Sequence, residues 1–349
     1  MRYLSPLLAA ALTLVVGFAV FSALGRSPVA AFYAFFVHPV STLNGVAELL
    51  LKATPLMMIA TGLAIGFRAN VWNIGAEGQL VLGAIFGGGL ALHLEGVETR
   101  WLLVAMVVAG AIGGMLWAAI PALLRNRFNA SEILTSLMLV YVAALLLSWL
   151  VHDPWRDPQG FNFPQSKMFE EAALFPILIE TTRLNASFLV ALGIVAAGWV
   201  FVKRSFLGYQ MRVAGLAEAA ARYAGFSAKR TVWIGMLAGG AAAGIAGVGE
   251  VAGPIGQLTP SISPGYGFAA IIVAFVGRLN PAGILAASLL MSLLYLGGES
   301  AQMQLNLPSA ITGLFQGLLL FFLLGSDVFI NYRVRWLRPH RARLEPAPA

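Results

Sequence analysis

The sequence has no cysteine among its 349 residues, which excludes disulfide bonds, thiolate metal sites and cysteine nucleophiles. Its four histidines are scattered and show neither HExxH nor any other metal-ligand spacing. No lysine follows a glycine, so the chain has no P-loop of the GKS or GKT type, and no GxSxG elbow marks a serine nucleophile. These absences predict a protein that is not an enzyme and that uses no metal and no cofactor.

Charged residues are also few, since Asp, Glu, Lys and Arg make up 11% of the chain against 59% hydrophobic residues. Apolar runs of the ~20 residues needed to cross a bilayer recur from end to end. A soluble protein of this length has too little interior to bury so much apolar surface. We therefore predict an all-α fold: a polytopic helical protein, multi-pass in the cell (inner) membrane.

The apolar runs predict about ten transmembrane helices. Most Lys and Arg residues then fall on one side, and the positive-inside rule places that side and both termini in the cytoplasm. This topology signal explains the net charge of +7, so we do not predict nucleic-acid binding. The chain divides into a first transmembrane helix (1–25), a membrane core (40–328) and a basic cytoplasmic tail (329–349). The runs lie near 5–24, 44–67, 78–94, 101–123, 132–151, 187–202, 231–251, 266–277, 281–297 and 308–325.

The predicted cytoplasmic segment 203–230 is the most basic of these loops, with Glu218 as its single acid. Its Ala-rich part, 214–224, predicts a short helix with Glu218 and Arg222 at i,i+4 and with Gly225 as a left-handed cap. A preformed helix under the bilayer indicates a place where another protein docks. One side of this helix is predicted to carry Leu216, Ala219, Tyr223 and Phe226.

The polar segment 70–79, NVWNIGAEGQ, interrupts the apolar pattern between the second and third runs with Asn70, Asn73, Glu77 and Gln79. Irregular polar backbone at membrane depth is tolerated only inside protein or beside a water-filled cavity. Two interpretations stay open. The segment is either a cytoplasmic turn, with Glu77 favoured by the dipole of the next helix, or a lining of a translocation path or of its inner gate.

Glu250 ends the seventh run and introduces a segment rich in proline and glycine, 251–265. This segment is either a gate that folds back near the outer mouth or a well-packed outer loop. Glu48 and Lys52, at i,i+4 in the second run, predict a self-neutralising pair, because an unpaired charge in a bilayer is costly.

Two runs carry residues that are unusual inside helices. Pro55 predicts a kink or a break in the second run. Small residues at spacings of three and four along the seventh run predict close approach of another helix. They are Gly235, Gly239, Gly240, Gly244 and Gly247.

Several of these passages resemble the permease subunits of bacterial ABC importers of the branched-chain amino acid, simple-sugar and nucleoside superfamily, with nucleoside-type permeases most similar. The resemblance extends over about residues 40 to 325. The segment 208–226, GYQMRVAGLAEAAARYAGF, is similar to the coupling loop of that family. The other passages are NVWNIGAEGQ (70–79), NASEILTSLMLVYVA (129–143) and GYGFAAIIVAFVGRLNPAGILAA (265–287).

The resemblance implies the membrane subunit of an ATP-driven importer for a small polar solute, expected to be a nucleoside. It implies four partners: a separate ABC ATPase, a second homologous permease, an extracytoplasmic solute-binding (lipo)protein and membrane lipid. The coupling element would comprise Gly215, Glu218, Ala219, Ala220, Arg222 and Gly225. The candidate pathway residues are Asn70, Asn73, Glu77, Gln79 and Glu250.

Two alternatives stay open. An ion-coupled secondary transporter would use Glu48, Glu77 or Glu250 as its titrating group. A simple sugar is the second candidate solute. A membrane enzyme is disfavoured because the sequence shows no paired catalytic motif.

Overall fold

A computed structural model describes residues 4–23 and 25–306 and, beyond them, only residues 308, 310–311, 313–314, 317–318, 321–322 and 325. The side chains of residues 4–10 are not among those described. The tenth predicted run, 308–325, is described only at these scattered positions. The predicted tail, 329–349, lies outside the described residues.

The regular structure of the described residues is helical, apart from one isolated β bridge between Ile177 and Asn185. Each predicted run up to residue 297 coincides with a helix. The helices are α1 (Leu4–Ala23), α2 (Pro28–Phe32), α3 (Leu43–Arg68), α4 (Ala76–His93), α5 (Trp101–Phe128), α6 (Glu132–His152), α7 (Ser187–Arg204), α8 (Phe206–Leu216), α9 (Glu218–Tyr223), α10 (Ala228–Glu250), α11 (Tyr266–Val276) and α12 (Pro281–Leu305).

Six helices of the described residues are long and apolar enough to cross a membrane. They are α3, α5, α6, α7, α12 and α10 with the π-helical turn Val251–Ile255 that continues it. Together they form a polytopic bundle of the kind that the apolar runs predict. The polar start of α4 and the short length of α11 set these two helices apart from the six.

The centre of the bundle is built from α3, α4, α5 and α10, which approach one another through small residues. A Cβ on Gly244 would lie 2.0 Å from the carbonyl oxygen of Gly110, and one on Gly235 would lie 2.9 Å from the Cα of Gly66. Such distances leave no room for a side chain. The predicted role of the glycines of α10 in close helix packing is confirmed.

The break considered at Pro55 is absent, because α3 continues without interruption from Leu43 to Arg68. Pro55 is buried among neighbouring helices, and Thr54 donates a hydrogen bond to the carbonyl of Leu50 (2.9 Å). Packing of this kind and Ser/Thr side chains allow proline inside membrane helices.

Sequence analysis missed the short segment 28–40, which turns back after α1. It consists of α2, a π-helical turn (Tyr33–Val37) and a 3-10 turn (His38–Val40). Phe35 is fully buried, and its carbonyl lies where a Cβ on Gly297 of α12 would stand. The segment is too short for a full crossing, so its hydropathy gave no separate run.

The loops that carry most of the basic residues lie at one end of the bundle. Arg68 at the end of α3 donates from Nε to the carbonyl of Leu279 (2.8 Å), and Asn126 near the end of α5 donates to the carbonyl of Lys229 (3.3 Å). We call this end the basic end, and the other the opposite end. The basic end carries Arg68, Arg125, Arg127, Lys203, Arg204, Arg212, Arg222, Lys229, Arg230 and Arg278.

Candidate translocation site and coupling segment

Two helices start inside the bundle rather than at its surface. The 11 residues of α11 extend over about 16 Å at 1.5 Å per residue, half of a ~30 Å hydrocarbon core. Since α11 ends near Arg278 at the basic end, its first residue lies deep in the bundle. The start of α4 meets it there, because a Cβ on Gly267 would lie 2.2 Å from the backbone nitrogen of Glu77.

Glu77 joins these two helix starts. Its Oε2 accepts a hydrogen bond of 2.6 Å from the backbone N–H of Gly267 in the first turn of α11. Glu77 itself stands in the first turn of α4. The start of a helix carries a partial positive charge of roughly half an elementary charge, so one carboxylate here serves two helix dipoles. The half-buried Glu77 therefore stabilises a junction that would otherwise bring like partial charges together.

Asn73 and Gln79 form a closed pair beside this junction. Asn73 Nδ2 donates to Gln79 Oε1 (2.8 Å), and Gln79 Nε2 donates to Asn73 Oδ1 (3.0 Å). Both side chains are 1% exposed. Asn70, by contrast, is exposed at the basic end, where its Oδ1 accepts a bond from the Trp72 indole (2.8 Å). Of the four polar residues predicted in this segment, the structure pairs Asn73 with Gln79, joins Glu77 to the start of α11 and leaves Asn70 exposed.

Residues of α6 hold the same segment from the other side, and sequence analysis assigned them no role. The Trp72 N–H donates to Glu132 Oε1 (3.4 Å), and the Ile74 N–H donates to the Ser136 hydroxyl (3.3 Å). Arg125 forms an ion pair with Glu132. The signal for them was the passage 129–143, which contains both Glu132 and Ser136.

Glu250 is the last residue of α10, is 8% exposed and is close enough to the junction to interact electrostatically with Glu77. It interacts electrostatically with Lys52 and Arg183. Two ion pairs surround it. They correct one expectation: Glu48 and Lys52 do not pair with each other.

Glu48 binds Arg183 of the long connection before α7, with both Nε–Oε1 and Nη2–Oε2 distances at 2.7 Å. Lys52 binds Glu299 of α12 at 2.8 Å. The i,i+4 spacing permitted the predicted Glu48–Lys52 pair. A bidentate ion pair with an arginine is stronger than an i,i+4 contact with lysine. The hydrogen bond to Glu48 raises the pKa of the Arg183 guanidinium above its usual value.

We expect the Glu48–Arg183 pair to stabilise the opposite end by about 1 kcal/mol, because the pair is partly exposed and screened by solvent. In a double-mutant cycle of Glu48→Gln and Arg183→Gln, thermal unfolding in detergent should then show positive coupling. The pair Lys167–Glu95, which is longer at 3.1 Å and has a more exposed carboxylate, is the control and should show less coupling. Equal coupling in both cycles would contradict this assignment.

The segment 251–265 is firmly packed. Backbone hydrogen bonds join it to the connection between α6 and α7: Ser166 N–H to Leu258 O (2.9 Å), Phe169 N–H to Gly256 O (2.8 Å) and Phe175 N–H to Ala252 O (2.8 Å). Leu258 is fully buried. From the end of α10 the segment returns into the bundle, where α11 begins. Its role as a gate stays a prediction.

The predicted helix 214–224 is wrong in one respect, because the chain forms two helices that separate at Ala217. Ala217 is extended (φ −155°, ψ 90°) between α8 and α9. The separation follows from packing: a Cβ on Gly215 would lie 2.0 Å from the carbonyl oxygen of Arg68, so the end of α8 is pressed against the end of α3.

Two other local features predicted for this segment are confirmed. Arg222 pairs with Glu218 at 3.3 Å. Gly225 has φ +78°, and the next N–H, of Phe226, donates to the carbonyl of Ala221 (2.9 Å), as in a Schellman cap.

The surface of α9 is almost entirely free in the described structure. Tyr223 is 97% exposed, and Ala219 and Ala220 are exposed as well, while Leu216 at the adjoining end of α8 is 77% exposed. Phe226 differs from the predicted pattern, since its ring packs edge-on against Phe206 (6.0 Å between centroids). The aromatic side chain of Tyr223 is therefore free to contact another protein.

Comparison with known proteins identifies the family. The family model described as "branched-chain amino acid transport system / permease component" matches residues 45–324. The chain belongs to this family of ABC transporter permeases. It is similar to the glucose ABC transporter permease protein TsgB13 of Haloferax volcanii, at 35% identity over 100% of this chain and 94% of the relative.

Two further relatives are 28% identical. They are the guanosine ABC transporter permease protein NupP of Bacillus subtilis, with 93% of each chain covered, and the nucleoside ABC transporter permease protein NupB of Lactococcus lactis subsp. cremoris, with 92% of this chain and 90% of the relative covered. The permease is thus a multi-pass protein of the cell (inner) membrane. Its family implies that ATP is hydrolysed by a separate subunit and that a solute-binding protein is a partner.

A cavity of about 200 Å³ in this permease connects the coupling segment with the polar segment. Its lining includes Gly215 and Glu218 from one side and Ala69, Asn70 and Arg125 from the other. The coupling segment and the start of the polar segment thus face each other across this cavity.

Proposed function

We propose that the permease imports a small neutral solute with a hydroxyl-bearing ring, with a nucleoside as the first candidate. The observation that carries this proposal is the Glu77–Gly267 contact. In many transporters the starts of broken helices receive the anionic group of the substrate. Here the protein's own carboxylate occupies that position, which disfavours an anionic solute.

Two observations bear on the identity of the solute. The passage GAEGQ within 70–79 and the guanosine and nucleoside permeases among the relatives support a nucleoside. The higher identity to a glucose permease supports a simple sugar as the second candidate. Both are neutral and carry ring hydroxyls, so both agree with the charge of the junction.

We place the inner gate at the junction of α4 and α11. The reciprocal Asn73–Gln79 bonds and the Glu77–Gly267 bond close the bundle there, between the basic end and the region of Glu250. The basic end is cytoplasmic in this proposal, in accord with the positive-inside rule. Solute would then enter near Glu250 and leave past Asn70.

The exposed helix α9 is the proposed contact with the ATPase. In this scheme, closure of the ATPase moves Ala219, Ala220 and their neighbours, and the tight contact of Gly215 with Arg68 transmits the movement to α3. The segment 70–79 follows directly, so the gate opens and closes with ATP turnover. A second homologous permease and surrounding lipid complete the proposed assembly.

Reconstitution tests this proposal. Liposomes containing the permease, the ATPase, the second permease and the solute-binding protein should take up labelled guanosine when ATP is supplied, with an ionophore present. Competition with unlabelled glucose distinguishes the two solutes. Uptake of glucose alone would replace the nucleoside by a sugar.

The rival mechanism has a separate outcome. Accumulation of solute by the permease alone, driven by a proton or sodium gradient without ATP, would overturn the importer assignment. In that case Glu77 or Glu250 would be the group that binds the coupling ion.

A further inference from the structure

The connection between α6 and α7 contains a small, closely bonded loop, residues 157–165. The Asp157 N–H donates to the carbonyl of Gln165 (2.8 Å), which closes the loop at its base. Asp157 Oδ1 accepts from the Gln159 N–H (2.9 Å), and Arg156 Nη1 donates to Asn162 Oδ1 (2.7 Å). The loop therefore has a fixed shape.

Two phenylalanines occupy the tip of this loop, and neither is covered. Phe161 is 94% exposed and Phe163 is 64% exposed. Phe161 has φ +51° and Asn162 has φ +66°. Asparagine tolerates this left-handed region, but a bulky side chain such as phenylalanine is an outlier there. Backbone strain that presents an apolar ring to the outside often marks a binding function. We call Phe161–Phe163 the aromatic tip.

The aromatic tip is attached to the segment that leads into the bundle. Gln257 Nε2 donates to Gln165 Oε1 (3.2 Å), and the neighbouring Ser166 N–H donates to the carbonyl of Leu258 (2.9 Å). This segment connects Glu250 with the start of α11. The tip thus lies at the opposite end of the bundle, next to the proposed entrance for solute.

The composition around the tip favours a protein over a lipid surface. The loop 157–165, DPQGFNFPQ, contains neither Lys nor Arg, which bind anionic lipid headgroups, and neither Trp nor Tyr, which are enriched at membrane–water interfaces. Its only charged residue is Asp157, and the nearby Arg156 is committed to Asn162. Exposed aromatic rings on a rigid support are typical anchors of protein interfaces.

We propose that the aromatic tip is a docking finger that inserts its phenylalanine rings into an apolar pocket of the solute-binding partner. The proposal rests on the proposed function, which places the opposite end of the bundle outside the cytoplasm. The rigid connection from the tip to segment 251–265 then links docking to the entrance beside Glu250.

A glycine substitution tests the finger without disturbing the loop. Glycine adopts φ +51° freely, so Phe161→Gly removes the ring and the strain and retains the loop shape. In the complete transporter, held in lipid nanodiscs, the double variant Phe161→Gly, Phe163→Ser should raise the Kd for the purified solute-binding partner at least tenfold. Basal ATP hydrolysis should stay unchanged. Phe128→Ser, at a phenylalanine that is 70% exposed at the basic end, is the matched control and should leave this Kd unchanged.

The outcomes distinguish failure of the docking proposal from failure of the proposed import function. A Kd within twofold of the wild-type value in the double variant would overturn the finger, and so would a photo-crosslinker at position 163 that labels lipid and never the partner. Either result leaves the proposed function in place if the wild-type complex still shows ATP-driven uptake. A wild-type complex without such uptake contradicts the proposed function directly.

Discussion

Replacing Glu77 by alanine is expected to lower ATP-driven uptake at least tenfold. The substitution removes a hydrogen bond from a charged acceptor, worth about 1.5–3 kcal/mol, and leaves the two helix starts of α4 and α11 without an anion. A tenfold effect corresponds to about 1.4 kcal/mol, so loss of this one bond is sufficient. The measurement is the initial uptake rate in liposomes, with the amount of assembled complex determined by size exclusion.

Two companion variants make this prediction specific. Glu77→Gln retains an oxygen that can accept from Gly267 but lacks the charge, so its rate should lie between those of wild type and Glu77→Ala. Glu98→Ala removes an exposed carboxylate at the opposite end and should transport normally. Equal rates in Glu77→Ala and Glu98→Ala would show that the junction of α4 and α11 does not depend on a carboxylate.

Gly215→Val is expected to separate ATP hydrolysis from transport. A Cβ at this position would lie 2.0 Å from the carbonyl oxygen of Arg68, so valine forces the end of α8 away from the end of α3. Because α9 itself is untouched, the ATPase should still bind and hydrolyse ATP. We expect the number of solute molecules transported per ATP to fall at least fivefold.

The control for this variant is Gly193→Val in α7, where an added Cβ meets no atom within 4 Å. It places the same side chain in a membrane helix without displacing a neighbour and should transport with the wild-type ratio. If Gly215→Val transports as efficiently per ATP as Gly193→Val, the contact between α8 and α3 plays no part in coupling.

The sequence predicts individual helices well because their causes are local. In a bilayer every backbone N–H and C=O must be satisfied within the segment, so an apolar run of sufficient length becomes a helix. The short helix α11 follows from the short run at 266–277. The left-handed Gly225 cap and the Glu218–Arg222 pair also depend only on near neighbours and are confirmed.

The sequence predicted which segment contains the candidate site, but it did not predict how the side chains of that segment are arranged. The unusual polarity of segment 70–79 drew attention to Asn73, Glu77 and Gln79. Their distant partners could not be predicted from the sequence pattern. Gly267 is 190 residues from Glu77 in the sequence, and no periodicity connects the two residues. The predicted pair of Glu48 with Lys52 was wrong for the same reason. Their partners in the structure, Arg183 and Glu299, belong to other elements.

By itself, the amino-acid sequence determined that this protein is a bundle of membrane helices with a basic end and a short, capped segment beneath it, because hydropathy, charge and turn chemistry act over a few residues. Only the tertiary structure decided that α4 and α11 start face to face on one carboxylate, that the coupling segment divides at Ala217 against α3, and that Phe161 is presented on a strained tip. These features arise from close packing between distant parts of the chain, which residue spacing along one segment does not encode.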